Sequence, residues 1–449
     1  MILDTEERKT QSLIALARNY YAGDQIVYLT DRQAAWLALH GHDVSFNVNV
    51  SAMVVDAVVE RLSVLGFKTS DPELATAVDS WWRLARMDAL SAEVHLYGVR
   101  DGEELVIADW NAAENRPDYI LHPRYVDKTA GGDSFGVWME YADGNVYGRA
   151  ERAAKRWSDL DERGSVRERM TVYYPERIEK FYLAGGQWKP LEIEGEAWPL
   201  PWTSNGQPIG IPVAHFRNPG QESELKNIVP IQDALNKSWI DLLASADNSA
   251  FRLLVALGFV PTTDGAEPKS DGSNLLKILP GQMLATRKKP GEADLKSIEP
   301  SDLDSLLNLE ERLVYKIASI SSTPLSRFKV TGQVASEGTL KQQEGPLLAK
   351  IEKRQILFGD AWEDLMHIST RLSNAFGGTA LDDDADLETL WRPAATRDET
   401  DELNRADIKK NKLGVPTETI WSEIGYTAEQ SMAMKETPEF KNLTFGNYP

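Results

Sequence analysis

Cysteine is absent from the 449 residues, which excludes a disulfide framework, a thiolate metal site and a cysteine nucleophile. A reducing assembly compartment is the simplest reading of that absence. No apolar run approaches the ~20 residues needed to span a bilayer. The opening Met1-Ile-Leu-Asp-Thr-Glu-Glu-Arg-Lys lacks the basic-then-apolar order of a secretion signal, so the expectation is a soluble, intracellular protein. Positive charge is also scarce. Lys+Arg 49 against Asp+Glu 69 leaves a net charge of −20, the wrong sign for a protein that grips nucleic acid by neutralising phosphates. A surface past which a polyanion must slide has the opposite requirement, and acidity is compatible with it.

Catalytic signatures are equally sparse. There is no G-x-x-x-x-G-K-[ST] loop, so ATP hydrolysis is not expected. The six histidines, His40, His42, His95, His122, His215 and His367, form no H-E-x-x-H. His40 and His42 lie two apart, a spacing that suits a strand face as well as a metal. The run Asp382-Asp-Asp-Ala-Asp386 lacks the glycine and distal glutamate of an EF-hand loop and reads as a solvated acidic turn. No catalytic residue, metal site or cofactor is expected, and the chain is read as not an enzyme.

What is present is enough apolar residue, 42%, for one large or two to three ordinary domains. The first part reads as an α+β body. Val54, Val55, Val58, Val59 and Leu62 share a helical face, and Asp71-Pro72 opens a second helix carrying Trp81, Trp82 and Leu84. Strand patterns follow at 104–110, 135–141, 170–174, 178–183 and 211–216. From about 227 the texture changes. Ile231, Leu235, Trp239, Leu242, Ala246 and Ala250 recur at three- and four-residue steps, and the pattern predicts a helix of ~45 Å running to about 257. Ile240, Leu243 and Leu254 make it apolar around its circumference, so it should be packed on more than one side.

Residues 258–300 are broken by prolines and glycines, with short apolar runs at 275–279 and 283–285. Ser301 caps a second helix with Leu306, Leu309, Leu313, Ile317 and Ile320 on one stripe. A polar stretch containing Gly332 leads to a helix over 336–376, which Gly345-Pro346 should kink or restart and Gly377-Gly378 should end. A strand at 387–391 and short helices at 399–412 and 417–423 complete the pattern.

Local matches then accumulate in order: Tyr20-Tyr21-Ala-Gly23-Asp24, Asn47-Val-Asn49, Leu96-Tyr97-Gly98 and Ile211-Pro212-Val213-Ala-His-Phe216-Arg-Asn218. Pro230-Ile-Gln232-Asp233-Ala-Leu235-Asn236-Lys237, Ile317-Ala318-Ser319-Ile-Ser-Ser-Thr323-Pro324, Ser336-Glu337-Gly338 and Glu352-Lys-Arg354-Gln355-Ile-Leu357-Phe358-Gly359 follow. In order and interval these segments resemble the portal family of tailed bacteriophages over nearly the whole chain. The resemblance implies an α+β portal fold. Its parts would be a wing (1–226), a first stem helix (227–257), a clip (258–300), a second stem helix (301–321) and a tunnel loop (322–335). A long kinked helix returning to the wing (336–395) and a short helical crown (396–449) would follow.

The function implied is that of a subunit in a dodecameric ring at one capsid vertex, through which double-stranded DNA is packaged and ejected. Its implied partners are itself, DNA, the large terminase, a head–tail adaptor, and the major capsid and scaffolding proteins. No membrane is expected. Its place would be the virion, after assembly in the host cytoplasm. Another phage head or connector protein, or an enzyme with a site assembled from distant residues, are the alternatives.

A ring closes head to tail only if each subunit offers two different faces. Leu235, Trp239, Leu242, Leu313 and Ile317 are the subunit-interface candidates, unless they form the interior of a monomeric helical domain. Thr323, Ser326, Arg327, Lys329, Thr331 and Gln333 are the tunnel-loop candidates. There Arg327 and Lys329 either touch passing phosphates weakly or are ordinary solvated charges. Arg287, Lys288 and Lys289 form the most basic cluster, a candidate docking site for terminase or adaptor if it is more than an exposed turn.

Overall fold

The computed structural model describes residues 2–25, 27, 29–40, 48–122, 136–160, 166–193, 195–250, 254–257, 289, 294–297, 303–328, 337–395, 399–424, 426 and 428–436. It mixes helix and sheet. The elements begin with α1 (Ile2–Ala22), α2 (Asp31–His40), α3 (Ser51–Val59), β1 (Val64–Thr69), α4 (Pro72–Leu84), α5 (Met87–Asp101), β2 (Glu103–Asn111) and β3 (Arg116–His122). Next come β4 (Gly136–Tyr141), β5 (Ala150–Leu160), β6 (Val166–Tyr173), β7 (Arg177–Ala184), β8 (Gln187–Pro190) and β9 (Val213–Arg217). The later half holds α6 (Val229–Ala250), β10 (Leu254–Leu257), β11 (Asp294–Ser297), α7 (Leu303–Ser321), α8 (Glu337–Phe376), β12 (Leu387–Trp391), α9 (Glu399–Leu413), α10 (Thr417–Ile424) and α11 (Ala428–Glu436). The chain forms two compact units. One comprises 1–23, 50–229 and 318–449, and the other 24–49 and 230–317.

The first unit is built on antiparallel sheets. β9, β2 and β3 form one, with Val213 opposite Ile107 and Leu105 opposite His122. β4 to β8 form another, with Leu200–Pro201 added at β7. Leu105, Ile107 and Val213 from the first sheet meet Val137 and Ala153 from the second in a shared apolar cluster. A polar bridge accompanies it, in which His215 Nδ1 lies 2.7 Å from the Tyr141 hydroxyl and His215 Nε2 lies 2.7 Å from Glu103 Oε2.

Local chemistry explains several helices. Asp71 accepts from the N–H groups of Glu73 and Leu74 at 2.9 and 3.3 Å, and Pro72 supplies a first-turn residue with no N–H to satisfy, so α4 starts there. Leu74, Val78, Trp81 and Trp82 form its buried face. Helix α8 continues as one element through Pro346 and carries the core residues Leu347, Ile351, Phe358, Trp362, Leu365 and Leu372. Trp362 packs edge-on to Phe216 at 4.5 Å and to Trp82 at 5.1 Å, and its Nε1 donates to His95 Nε2 at 3.0 Å. Gly98 of α5 lets α8 approach closely, because a Cβ there would lie 2.9 Å from the Phe358 ring.

In the second unit the predicted first long helix is shorter than expected. α6 ends at Ala250, and Leu254–Leu257 is a strand paired with Asp294–Ser297. A four-residue apolar run fits either period, and here the ladder with β11 decides it. Residues 24–49 group with α6 and with α7 up to Ile317. The apolar runs expected at 275–279 and 283–285 lie outside the described residues.

Candidate functional site

The α6 and α7 region of the second unit is assembled around a buried polar lock. Gln232 and Asn236, one helical turn apart on α6, are almost wholly enclosed. Gln232 Nε2 donates to the Val48 carbonyl at 2.6 Å, the Val48 N–H donates to Asn236 Oδ1 at 3.0 Å, and Asn236 Nδ2 donates to Gln25 Oε1. Nearer the middle of α6, Asp241 accepts from Gln33 Nε2 at 2.6 Å. Because every donor in the lock meets an acceptor, sliding α6 by a residue against 24–49 would orphan buried amides, and the register is thereby specified.

That packing uses part of the apolar circumference of the two helices and leaves part open. On α6, Leu235 is 0% exposed, Ile240 and Leu242 are also buried, and the Trp239 indole N–H is buried without an acceptor among the described residues. On α7, Ile317 is 0% exposed and Val314 is buried, Leu313 is half-buried, and Leu307, Leu309 and Tyr315 stand 44%, 44% and 60% exposed. Of the five candidate interface residues, Leu235, Leu242 and Ile317 are buried within one chain, whereas Trp239 and Leu313 are half-buried. The periodicity shows which residues are apolar, not which apolar side is already filled.

The segment after α7 belongs to the first unit. Thr323 is buried, accepting a hydrogen bond from Ser321 Oγ at 2.9 Å, and its N–H reaches the Ala318 carbonyl at 3.0 Å. Lys350 of α8 donates to the Ser321 carbonyl and to Glu224, and Arg354 donates to the other Glu224 oxygen. Arg327 pairs with Glu60, both partly exposed.

A buried carboxyl that the sequence pattern did not reveal lies in β2. Glu104 is fully enclosed and neither oxygen has a hydrogen-bond partner among the described residues. Burial, then the Asp101 carboxylate, raise its pKa well above the ordinary 4.5, while Arg18 and Arg100 pull it down. The folded state thus favours the neutral acid. Its stability contribution is full below about pH 4.5 and is lost as pH rises toward the folded-state pKa, by ~1.4 kcal/mol per pH unit. Glu104→Gln is expected to raise the melting temperature relative to the parent at pH 8, with the gap narrowing toward pH 4. A gap equal at both pH values would exclude ionisation as its cause.

Among the described residues no group of His, Asp or Glu is arranged to hold a metal ion. In the acidic turn, Asp382 Oδ1 accepts from the Asp384 N–H at 3.1 Å. His40 ends α2, and His42 lies outside the described residues.

Comparison with known proteins bears on the whole chain. Residues 2–437 match the family described as phage portal protein, SPP1 Gp6-like. The chain belongs to this portal family. The portal protein of Mycobacterium phage D29 is 22% identical over 406 residues, covering 88% of this chain and 79% of that protein. The portal protein of Mycobacterium phage L5 is 21% identical over 415 residues, with the same coverage of each chain. Among solved structures, the neck of a native gene transfer agent particle, computed with C12 symmetry, is 11% identical. It covers 92% of this chain and 96% of its own, at a TM-score of 0.40.

A portal protein is a structural component of a phage particle and not an enzyme. In this portal chain the tunnel-loop candidates divide. Thr323 is buried, Ser326 and Arg327 are exposed, and Lys329, Thr331 and Gln333 lie outside the described residues. Of the clip candidates, Lys289 is exposed, whereas Arg287 and Lys288 lie outside the described residues.

Proposed function

We propose that this portal chain is one subunit of a dodecameric ring at a single capsid vertex. Double-stranded DNA would enter and leave through its channel, and the large terminase and head–tail adaptor would dock on it. The family match supports the portal role. The observation that carries the ring is α7, where Leu307, Leu309 and Tyr315 remain open after the single chain has packed. Isolated exposed leucines are ordinary. Apolar side chains on several sides of a helix, one side already filled, are what a closed head-to-tail assembly requires.

In this reading α6 and α7 are the stem, the segment between them is the clip, residues 322–335 approach the DNA, and 396–449 form the crown. Arg327 is held by Glu60, so its hold on phosphate is weakened by competition, which suits passive guidance. Twelve copies carry about −240 formal charges, and a largely electronegative lumen lets DNA slide. Power for movement comes from the partner motor. Mass photometry of the purified chain tests the ring. Particles at a high multiple of 50.1 kDa are expected, and a single peak at the monomer mass across micromolar concentrations rules it out.

A further inference from the structure

We propose that α7 closes the ring edge to edge, the Leu309–Leu313 edge of one copy meeting the Leu307–Tyr315 edge of the next, with Ser305, Asn308 and Arg312 left facing the lumen. This rests on the ring reading above and adds the residues that meet.

The argument is angular. A helix advances about 100° per residue, so with Leu307 as zero the buried Val314 and Ile317 fall near ~340° and ~280°. Leu309 and Leu313 lie near ~200° and ~240°, and Tyr315 near ~80°. The two open apolar edges therefore occupy roughly opposite flanks of one helix, with the filled seam on a third side. Ser305, Asn308 and Arg312, all exposed, lie near ~160°, ~100° and ~140° on the fourth. A single surface patch that paired with itself would produce a two-fold dimer. Two unlike edges on opposite flanks instead produce a head-to-tail contact that repeats around a ring.

Charge on the two edges is complementary. Lys316, near ~180°, borders the leucine edge, while Glu311 and Asp304, near ~40° and ~60°, lie between Leu307 and Tyr315 on the tyrosine edge. All three are exposed. Laying one edge on the other brings Lys316 of one copy toward Glu311 of its neighbour, whereas the reverse pairing of like edges opposes like charges. Tyr315 suits such a place because its ring is apolar and its hydroxyl can remain wet. Arg312 then points away from both contacts. It forms no ion pair with any described residue, and so leaves one cation per subunit to meet a polyanion with a weak, salt-screened contact.

The chain has no cysteine, so introduced thiols report without background. Leu309→Cys/Tyr315→Cys, treated with a short bis-maleimide, is expected to give a covalent ladder of many subunits on a denaturing gel. Asn308→Cys/Arg312→Cys is expected to give none. Glu311→Lys and Lys316→Glu should each lower the salt concentration at which rings fall apart, and their combination should restore it. A ladder from the Asn308/Arg312 pair, or rings by mass photometry with no ladder from the Leu309/Tyr315 pair, overturns the edge assignment while the ring stands. Monomers from the unmodified parent chain overturn the ring itself and this inference with it.

Discussion

Glu224→Ala is expected to cost the first unit about 3–5 kcal/mol of stability, the penalty for breaking a buried ion group by removing one partner. The Glu224 carboxylate is enclosed between Lys350 and Arg354, whose side chains are themselves largely buried. Burial lowers the pKa of both cations, and Glu224 is what opposes that pull. Without it two charged groups remain in a poorly solvated place. Lys350 also holds the Ser321 carbonyl at the end of α7, so its relaxation loosens the chain leading to Thr323.

Removing all three charges together, as Glu224→Leu/Lys350→Met/Arg354→Leu, should recover most of the loss, because no unpaired charge stays behind. Urea denaturation compares the variants. A loss below about 1 kcal/mol for Glu224→Ala would place the group among ordinary solvent-screened surface pairs.

The second large effect is acid lability. His95 is fully buried on α5, with Nδ1 3.1 Å from the Leu62 carbonyl and Nε2 accepting from Trp362. Because Nε2 accepts, the ring proton sits on Nδ1 and the imidazole is neutral. Burial lowers its pKa from 6.5 to about 4, only partly offset by the Leu62 hydrogen bond. The unfolded chain binds a proton below about pH 6.5 and the folded chain does not until near pH 4, so stability falls as pH drops through that window. At ~1.4 kcal/mol per unit the loss approaches about 3 kcal/mol.

Denaturant midpoints at pH 7, 6 and 5 measure it. His95→Gln should be less stable than the parent at pH 7, because the packing between Trp362 and Leu62 is disturbed, yet show a flatter decline toward pH 5. Parallel declines in the two proteins would assign the acid sensitivity to other groups.

Some elements were legible because one physical signal dominated them. The valine stripe of α3, the Asp71-Pro72 start of α4 and the strand at Leu387–Trp391 each follow from a period or a cap. Helix α5 was not, because Val94, His95, Gly98, Val99 and Arg100 are all buried. Its first half keeps Asp88, Ala89, Ala92 and Glu93 exposed, but the second half has no exposed residue and so no amphipathic stripe to read. Nothing in the sequence pattern set Glu103 and Glu104 apart, although one is bonded to His215 and the other is enclosed with no hydrogen-bond partner among the described residues.

The same limit applies to the interface. Leu235 and Leu309 look alike in a periodic pattern, and only the fold shows one enclosed and the other open. The Gln232–Asn236 lock was invisible for a similar reason, since its partners lie about 200 residues away in the chain.

A cryo-EM reconstruction of the assembled chain is the most direct test of the channel. It is expected to show α7 repeated around a central hole, Leu309 of each copy against Tyr315 of its neighbour and Arg312 turned to the open centre. A reconstruction in which α7 is covered on all sides by its own chain, with no hole beside it, would contradict that account.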